Sequence, residues 1–168
     1  MNNSTRQTDT HLFFWNTIYS QWYTSHKQIF DGENYFSSAE QAMMYAKAKL
    51  FDDEATAKLI LSTDNPRTIK ALGRQVKNFN DEEWNKVKLN IVIMINRMKF
   101  EQNQDLLDKM ILDKNLILVE ASPKDKIWGI GLHASDDRVL DESQWQGQNL
   151  LGIAIMNARE YIINKTIR

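Results

Sequence analysis

Ser37-Ser38-Ala39-Glu40-Gln41-Ala42-Met43-Met44-Tyr45-Ala46-Lys47-Ala48 reads as a helix that carries two stripes. Ala39, Ala42, Met43, Ala46 and Leu50 follow the i, i+3, i+4, i+7 spacing of a buried face. Glu40, Met44, Lys47 and Phe51 form a second stripe beside it. Seven positions of helix come close to two full turns, so Glu40 and Lys47 point the same way. The small alanines let neighbouring elements approach closely. An acid and a base therefore flank a core face rather than sitting opposite it. Ser37-x-x-Glu40 also fits a capping box, in which the glutamate only caps its own helix. Both readings stand at this point.

Upstream, Gln28-Ile29-Phe30-Asp31-Gly32-Glu33-Asn34-Tyr35-Phe36 places Asp-Gly between two apolar pairs, a hairpin signal. Leu12-Phe13-Phe14-Trp15 reads as a short buried strand, and Met1 to Thr10 as a frayed polar tail. Downstream, Phe51-Asp52-Asp53 breaks the helix and caps a second one over about 53–61. Asn65-Pro66 starts a short helix, with proline at its first position, and Gly73 is expected to end it. Asn80-x-x-Glu83 is another capping box. It opens the longest periodic segment, about 81–99, with Trp84, Val87, Ile91, Met94, Ile95 and Met98 at helical spacing. A further helix covers about 101–112. Leu116 to Glu120 reads as a strand ending in an acid, followed by the loop Ala121-Ser122-Pro123-Lys124-Asp125 and by Trp128-Gly129-Ile130-Gly131-Leu132. Residues 133–146 are polar and irregular, and a closing helix runs from about 148 to 164. The expected fold is α+β, mainly α: a single compact domain of about six helices with a few short strands. It is expected to span residues 11–168 behind the tail at 1–10.

Composition narrows the chemistry. A net charge of −1 sets up no overall basic field for nucleic acid. The absence of cysteine excludes disulfides, thiolate metal sites and a cysteine nucleophile. His11, His26 and His133 are widely spaced and show no metal-ligand pattern. No apolar run reaches the length of a membrane span, and the N-terminus lacks the apolar core of a signal peptide. A cytoplasmic protein working without metal or cofactor is the expectation.

Four segments concentrate residues that a core does not need. Glu40 with Lys47 is the first. Leu72-Gly73-Arg74-Gln75-Val76 is the second, with a basic residue at a helix end. The third is Lys99-Phe100-x-Gln102-Asn103, and the fourth runs from Glu120 through Asp125 to Trp128-Gly129-Ile130-Gly131. Acids at a strand end and in the loop after it suit a cleft. Glycines beside a tryptophan allow close backbone approach and an aromatic wall. Against this, Trp128 also suits core packing and Asp125 a solvated turn cap. Gly129-x-Gly131 lacks the third glycine and the helix of a phosphate fingerprint. Arg74 and Lys99 suit a phosphate, by planar fork and point charge respectively, and equally suit helix C-termini facing water. Asn149 suits a helix cap or a polar ligand.

The ordered set of short motifs resembles the NADAR family, the YbiA-like N-glycosidases linked to riboflavin biosynthetic intermediates. The resemblance runs from Phe13 to Arg159. It rests on Asp31-Gly32; Ser38-Ala39-Glu40-Gln41 with Lys47-Ala48 and Phe51; Gly73-Arg74-x-Val76; Trp84; Lys99-Phe100-x-Gln102-Asn103; Leu118-Val119-Glu120-Ala121-Ser122 with Asp125 and Trp128-Gly129-Ile130-Gly131; and Trp145-x-Gly147-x-Asn149-Leu150-Leu151-Gly152 with Met156 and Arg159. Ser20-Gln21-Trp22 departs from the Ser-Asn-Phe segment that members often show before the hairpin.

The resemblance implies hydrolysis of the C1′–N bond of a ribosylamino-pyrimidine phosphate to ribose 5-phosphate and free base. It implies Glu40 and Asp125 as catalytic acids. It implies Lys47, Arg74, Trp84, Lys99, Glu120, Trp128, Gly129 and Asn149 as substrate-binding residues. The partner is then a small phosphorylated ribosyl molecule. The alternative within the class is removal of ADP-ribose from guanine in nucleic acid; the alternative outside it is a module that binds ADP-ribose or a nucleotide without turnover. Breaking an N-glycosidic bond builds positive charge on the ribose, which a carboxylate stabilises, while a second acid protonates the departing base.

Overall fold

The computed structural model describes residues 5–166. Contacts divide the chain into two compact units: Met1–Tyr23 with Gln104–Arg168, and Thr24–Asn103 between them in sequence. The α+β class with prevailing helix holds, with six α-helices and five short strands among the described residues.

The unit formed by both chain ends is built on a three-stranded sheet in the order β1-β2-β5. Strand β1 is Thr5–Gln7, β2 is His11–Phe14 and β5 is Ile117–Glu120. Met1 to Thr10 was read as a tail, and Thr5–Gln7 corrects this. They pair antiparallel with β2, and Arg6 donates to Asp137 at 2.9 Å, so backbone partners and an ion pair fix polar residues that no apolar pattern marks. Residues 1–4 lie outside the described residues. The central β2 runs parallel to β5, with His11 opposite Ile117 and Phe14 opposite Glu120. Phe13 and Val119 enter a core with Ala121, Ile130, Leu132, Ala134 and Val139. Helix α5 (Gln104–Leu112) and helix α6 (Leu150–Thr166) complete this unit, with α6 packed on β5. A Cβ on Gly152 would stand 2.1 Å from the Leu118 carbonyl oxygen, so only glycine allows α6 to lie this close to the strand. The Tyr19 hydroxyl donates to Asp113 at 2.6 Å, and Arg159 donates to the Asp113 and Leu116 carbonyls, which ties α6 to the turn after α5. Burial first, and the Asp113 carboxylate second, push the Tyr19 phenol up and keep it protonated.

The middle unit is a hairpin followed by four helices. Strands β3 (Thr24–Phe30) and β4 (Tyr35–Ser38) pair antiparallel. Asp31 Oδ1 accepts the amides of Glu33 and Asn34, and Gly32 takes φ +106, which explains the Asp-Gly signal. Helix α1 (Ala39–Leu50) packs against α2 (Glu54–Leu61), α3 (Pro66–Arg74), α4 (Asp81–Glu101) and β4, so it is the hub of this unit.

The start of α1 differs by one residue from the Ser37-x-x-Glu40 reading. Ser38 is the N-cap, and its hydroxyl accepts the Gln41 amide. The Gln41 side chain accepts the Ser37 amide at 2.6 Å and donates to the Ile60 and Thr63 carbonyls. Gln41, not Glu40, is thus the reciprocal partner. Ala42 and Met43 are buried as expected, Ala46 is half-buried and Leu50 is exposed; Glu40, Met44 and Phe51 of the second stripe are buried.

Two further expectations are corrected. Gly73 lies inside α3 rather than ending it, because a Cβ there would fall on the Met44 side chain of α1. Its role is close helix approach. Helix α4 buries Trp84, Val92, Ile95, Asn96, Lys99 and Phe100, while Met94 is exposed. The buried face is therefore rotated from the purely apolar stripe toward Asn96 and Lys99. The end of α4 is docked on β3 by amides. Gln102 both accepts from and donates to the Phe30 backbone at 2.8 Å, and Asn103 accepts the Lys27 amide.

Candidate active site

In the middle unit the second stripe of α1 sets an acid and a base on one face. Glu40 is 4% exposed, in the first turn after the Ser38 cap. Lys47 is half-buried on the same face. Its ammonium donates to the Gly73 carbonyl at 2.7 Å, lies 4.1 Å from the centre of the Phe79 ring and 5.9 Å from that of Trp84. Desolvation lowers the Lys47 pKa, and the charges of Asp81 and then Glu40 oppose that shift. The acid, the base and the buried Trp84 are thus brought together by α1 and the first turn of α4. Attraction between Glu40 and Lys47 is mutual, so the same ammonium favours an ionised carboxylate.

Arg74 and Lys99 are not presented to solvent as a pair. Arg74 is the last residue of α3 and is exposed. Lys99 has 0% exposure within α4, and burial pushes its ammonium down to about 7. The solvent-facing C-terminal reading of Lys99 is corrected, because the helix turns this position into the core with Ile95 and Val92, one and two turns before it.

In the other unit, Glu120, Asp125, Trp128, Gly129 and Asn149 form a second cluster. Residues 120–131 and 146–151 are joined by backbone bonds: Ile130 to Glu120, Gln146 to Ile130, Gln148 to Lys126, Asn149 to Gly129 and Leu151 to Trp128, each amide to carbonyl. Asp125 Oδ1 accepts the amides of Ile127 and Trp128, so this carboxylate organises its own turn. Trp128 and Glu120 are half-buried. A Cβ on Gly129 would lie 2.9 Å from the Glu120 carbonyl oxygen and 3.0 Å from that of Asp125. The glycine is required by this packing, and its backbone carbonyl is engaged by Asn149. Asn149 stands directly before α6 and its carbonyl accepts the Ile153 amide, but its side chain is turned to β5. Its Nδ2 donates to the Leu118 carbonyl and its Oδ1 accepts the Glu120 amide, so the side chain braces β5 in place of a strand. Both ends of the amide serve the fold.

Phe79 escaped the sequence reading. A lone aromatic between two asparagines carries no periodicity, and its one signal is an apolar residue placed directly before a helix cap. Among the described residues no group of three or more His, Asp or Glu side chains is arranged to hold a metal ion, and no helix is long and apolar enough to cross a membrane.

The NADAR domain profile matches residues 6–163. The N-glycosidase R617 of Acanthamoeba polyphaga mimivirus is 43% identical over 165 residues, covering 92% of this chain and 97% of that protein. A riboflavin biosynthesis protein of Vibrio vulnificus is 27% identical over 116 residues, 69% of this chain but 29% of that protein. The NMR structure of Escherichia coli YbiA superposes with a TM-score of 0.77 at 23% identity, covering 99% of this chain and 93% of that one, a likeness of fold. Profile, relatives and fold agree over nearly the full length of the sequence: the chain belongs to the NADAR family.

Proposed function

We propose that this chain, an N-glycosidase of its family, hydrolyses the C1′–N bond of a ribosylamino-pyrimidine phosphate. The products are ribose 5-phosphate and the free base. The observation that carries the reading is Glu40. It is a buried carboxylate on the face of Lys47, and the Ser38–Gln41 pair occupies the capping positions that would otherwise account for it. As the C1′–N bond breaks, its electron pair leaves with the base nitrogen and the ribose becomes an oxocarbenium ion. Glu40 faces that charge as a carboxylate, with Lys47 favouring the ionised form. Water adds to C1′, one of its protons passes to a carboxylate, and the departing nitrogen takes up a proton. Asp125 is the second acid: it orients water or the ribose hydroxyls, or protonates the base, with Glu120 in reserve. Arg74 is the phosphate-binding residue, and Trp128 stacks on the base or ribose. The riboflavin-biosynthesis name of the Vibrio relative supports the choice of a ribosylamino-pyrimidine.

The test is incubation with a panel: ribosylamino-pyrimidine phosphates, ADP-ribose conjugates and ADP-ribosylated guanine in oligonucleotides, with released base followed by chromatography. Release from the first group supports the reading. Release from ADP-ribosylated guanine alone transfers the activity to nucleic acid. Tight binding of ADP-ribose without release from any member would make the chain a binding module and sink the hydrolase.

A further inference from the structure

Among the exposed aromatic side chains of the middle unit, Phe79 is 41% exposed yet its ring is engaged on two sides. The Lys47 ammonium lies 4.1 Å from its centre, and Phe51 meets it edge-on with centroids 5.3 Å apart. The segment that carries it is anchored at both ends. The Lys77 amide donates to Asp53, which also caps α2, and Asn80 caps α4. Between them Asn78 takes a left-handed φ of 55, which turns the chain just before the ring. A surface aromatic held this firmly against one ammonium is a fixture for that ammonium. Lysine has a flexible four-carbon stem, and a hydrogen bond to one carbonyl leaves it several rotamers. A ring face beneath the charge removes that freedom, and its attraction grows where water is excluded. The charged groups acting on Lys47 are Glu40 from its own helix and Asp81 from the start of α4; Gly73 of α3 offers a carbonyl.

We propose that Phe79 is a positioning residue for the hydrolysis: its ring holds the Lys47 ammonium in place, and through Lys47 keeps Glu40 ionised where the ribose cation forms. The inference deepens the reading of Glu40 and Lys47 given above and rests on it.

Two measurements on the full chain test it. The first needs no substrate: Lys47 is acylated by a neutral amine reagent and its labelling rate read by peptide mass spectrometry. Phe79→Leu should speed labelling by roughly 3-fold or more as the stem gains freedom, and Phe79→Tyr should not. Phe79→Met replaces the leucine variant if that variant melts below the assay temperature. Equal rates in wild type and ring-free variants overturn the inference. The second is kinetic. Phe79→Leu should lower kcat by about 5- to 30-fold with KM little changed, and Phe79→Tyr should recover most of the loss. In a Lys47→Gln background the leucine substitution should cost nothing further, since both act through one ammonium. A loss that multiplies with Lys47→Gln, or one confined to KM, would instead make Phe79 a wall of the pocket and end the positioning role. A wild type inactive on the whole panel sinks the hydrolysis reading by itself, and labelling then decides the Phe79–Lys47 fixture alone.

Discussion

Lys99 imposes a cost that few core positions carry. Its ammonium is fully buried and its pKa is pushed from 10.5 down to about 7 by desolvation. The unfolded chain therefore binds the proton more tightly than the folded one. The sign follows from proton counts. Below about 7 both states are protonated and the penalty is complete; between 7 and 10.5 the folded state has shed its proton and stability climbs; above 10.5 the penalty is gone. Urea melts of Lys99→Met against wild type should show the variant gaining most at or below neutrality. The gap should close as pH rises, at no more than about 1.4 kcal/mol per pH unit for one proton. A gap independent of pH would mean that folding leaves the proton affinity of Lys99 unchanged, and that burial does not depress it. Glu40 and Ser38 separate function from capping at the same scale. Glu40→Gln keeps shape and removes charge, so kcat should fall by at least about 100-fold while ligand still binds. Ser38→Ala should do the reverse, with a loss of about 1 kcal/mol in stability and near-normal turnover. Full activity in Glu40→Gln would withdraw the catalytic assignment. Asp125→Asn is informative for a further reason: asparagine still offers an oxygen to the Ile127 and Trp128 amides, so the turn survives. A large kcat loss with an unchanged melting temperature would mark the carboxylate itself as the working group.

Among the elements, the contact of α6 with β5 depends on what is absent at residue 152 and what is present at residue 149. Gly152→Ala would drive a methyl into the Leu118 carbonyl, a rigid backbone atom. It should cost roughly 2–4 kcal/mol or block folding, as overpacking and backbone displacement do. Asn149→Ala removes one donor and one acceptor from the β5 backbone. It should cost about 2–4 kcal/mol in thermal or urea melts, through two buried groups left without partners. If Asn149→Ala keeps wild-type stability and loses only substrate affinity, the brace is incidental and a ligand role returns. The elements also show where the sequence was legible. Periodicity and cap signals together found the six α-helices among the described residues, because an amphipathic face repeats and a cap marks its start; the short 3-10 helices Asp137–Leu140 and Glu142–Gln144 lie in a stretch read as irregular, too short to repeat a pattern. Periodicity missed the register of the α1 cap because Ser37-Ser38 and Glu40-Gln41 offer the same motif twice. The choice falls to pairing of Ser38 with Thr24 across the hairpin, which lies outside the helix. It misread the buried face of α4 because Asn96 and Lys99 contribute nothing to an apolar stripe yet lie inside. Gly73 and Asn149 were read from local rules about helix ends, whereas their roles are set by Met44 and by β5.

At the level of the whole chain, one unit is continuous and the other is assembled from both ends. Strand β2 is central in its sheet, with β1 on one side and β5 on the other. Deleting the chain through Phe14 should therefore unfold the unit that contains β5 and α6 while sparing α1 to α4. Amide exchange read by mass spectrometry would report this as loss of protection in 104–112, 117–120 and 150–165, with α1 to α4 still protected. Protection retained in those segments would contradict the central place of β2. The two candidate clusters divide in the same way: Glu40 and Lys47 belong to the continuous unit, and Glu120 and Asp125 to the other. Sequence motifs named members of both, because each motif is local. The dependence of β5 on a strand from the opposite end left no local trace.

The parallel pairing of β2 with β5 also sets an order in time as the protein is made. Leu12, Phe13 and Phe14 leave the ribosome early, and their partners Leu118, Val119 and Glu120 follow roughly 100 residues later, about 5–20 s at ordinary elongation rates. During that interval the hairpin and α1 to α4 emerge complete and free to fold, while an apolar strand with an open edge waits beside them. Nascent chains stalled before residue 117 should thus recruit holding chaperones to their first fifteen or so residues, and release them once α6 has emerged.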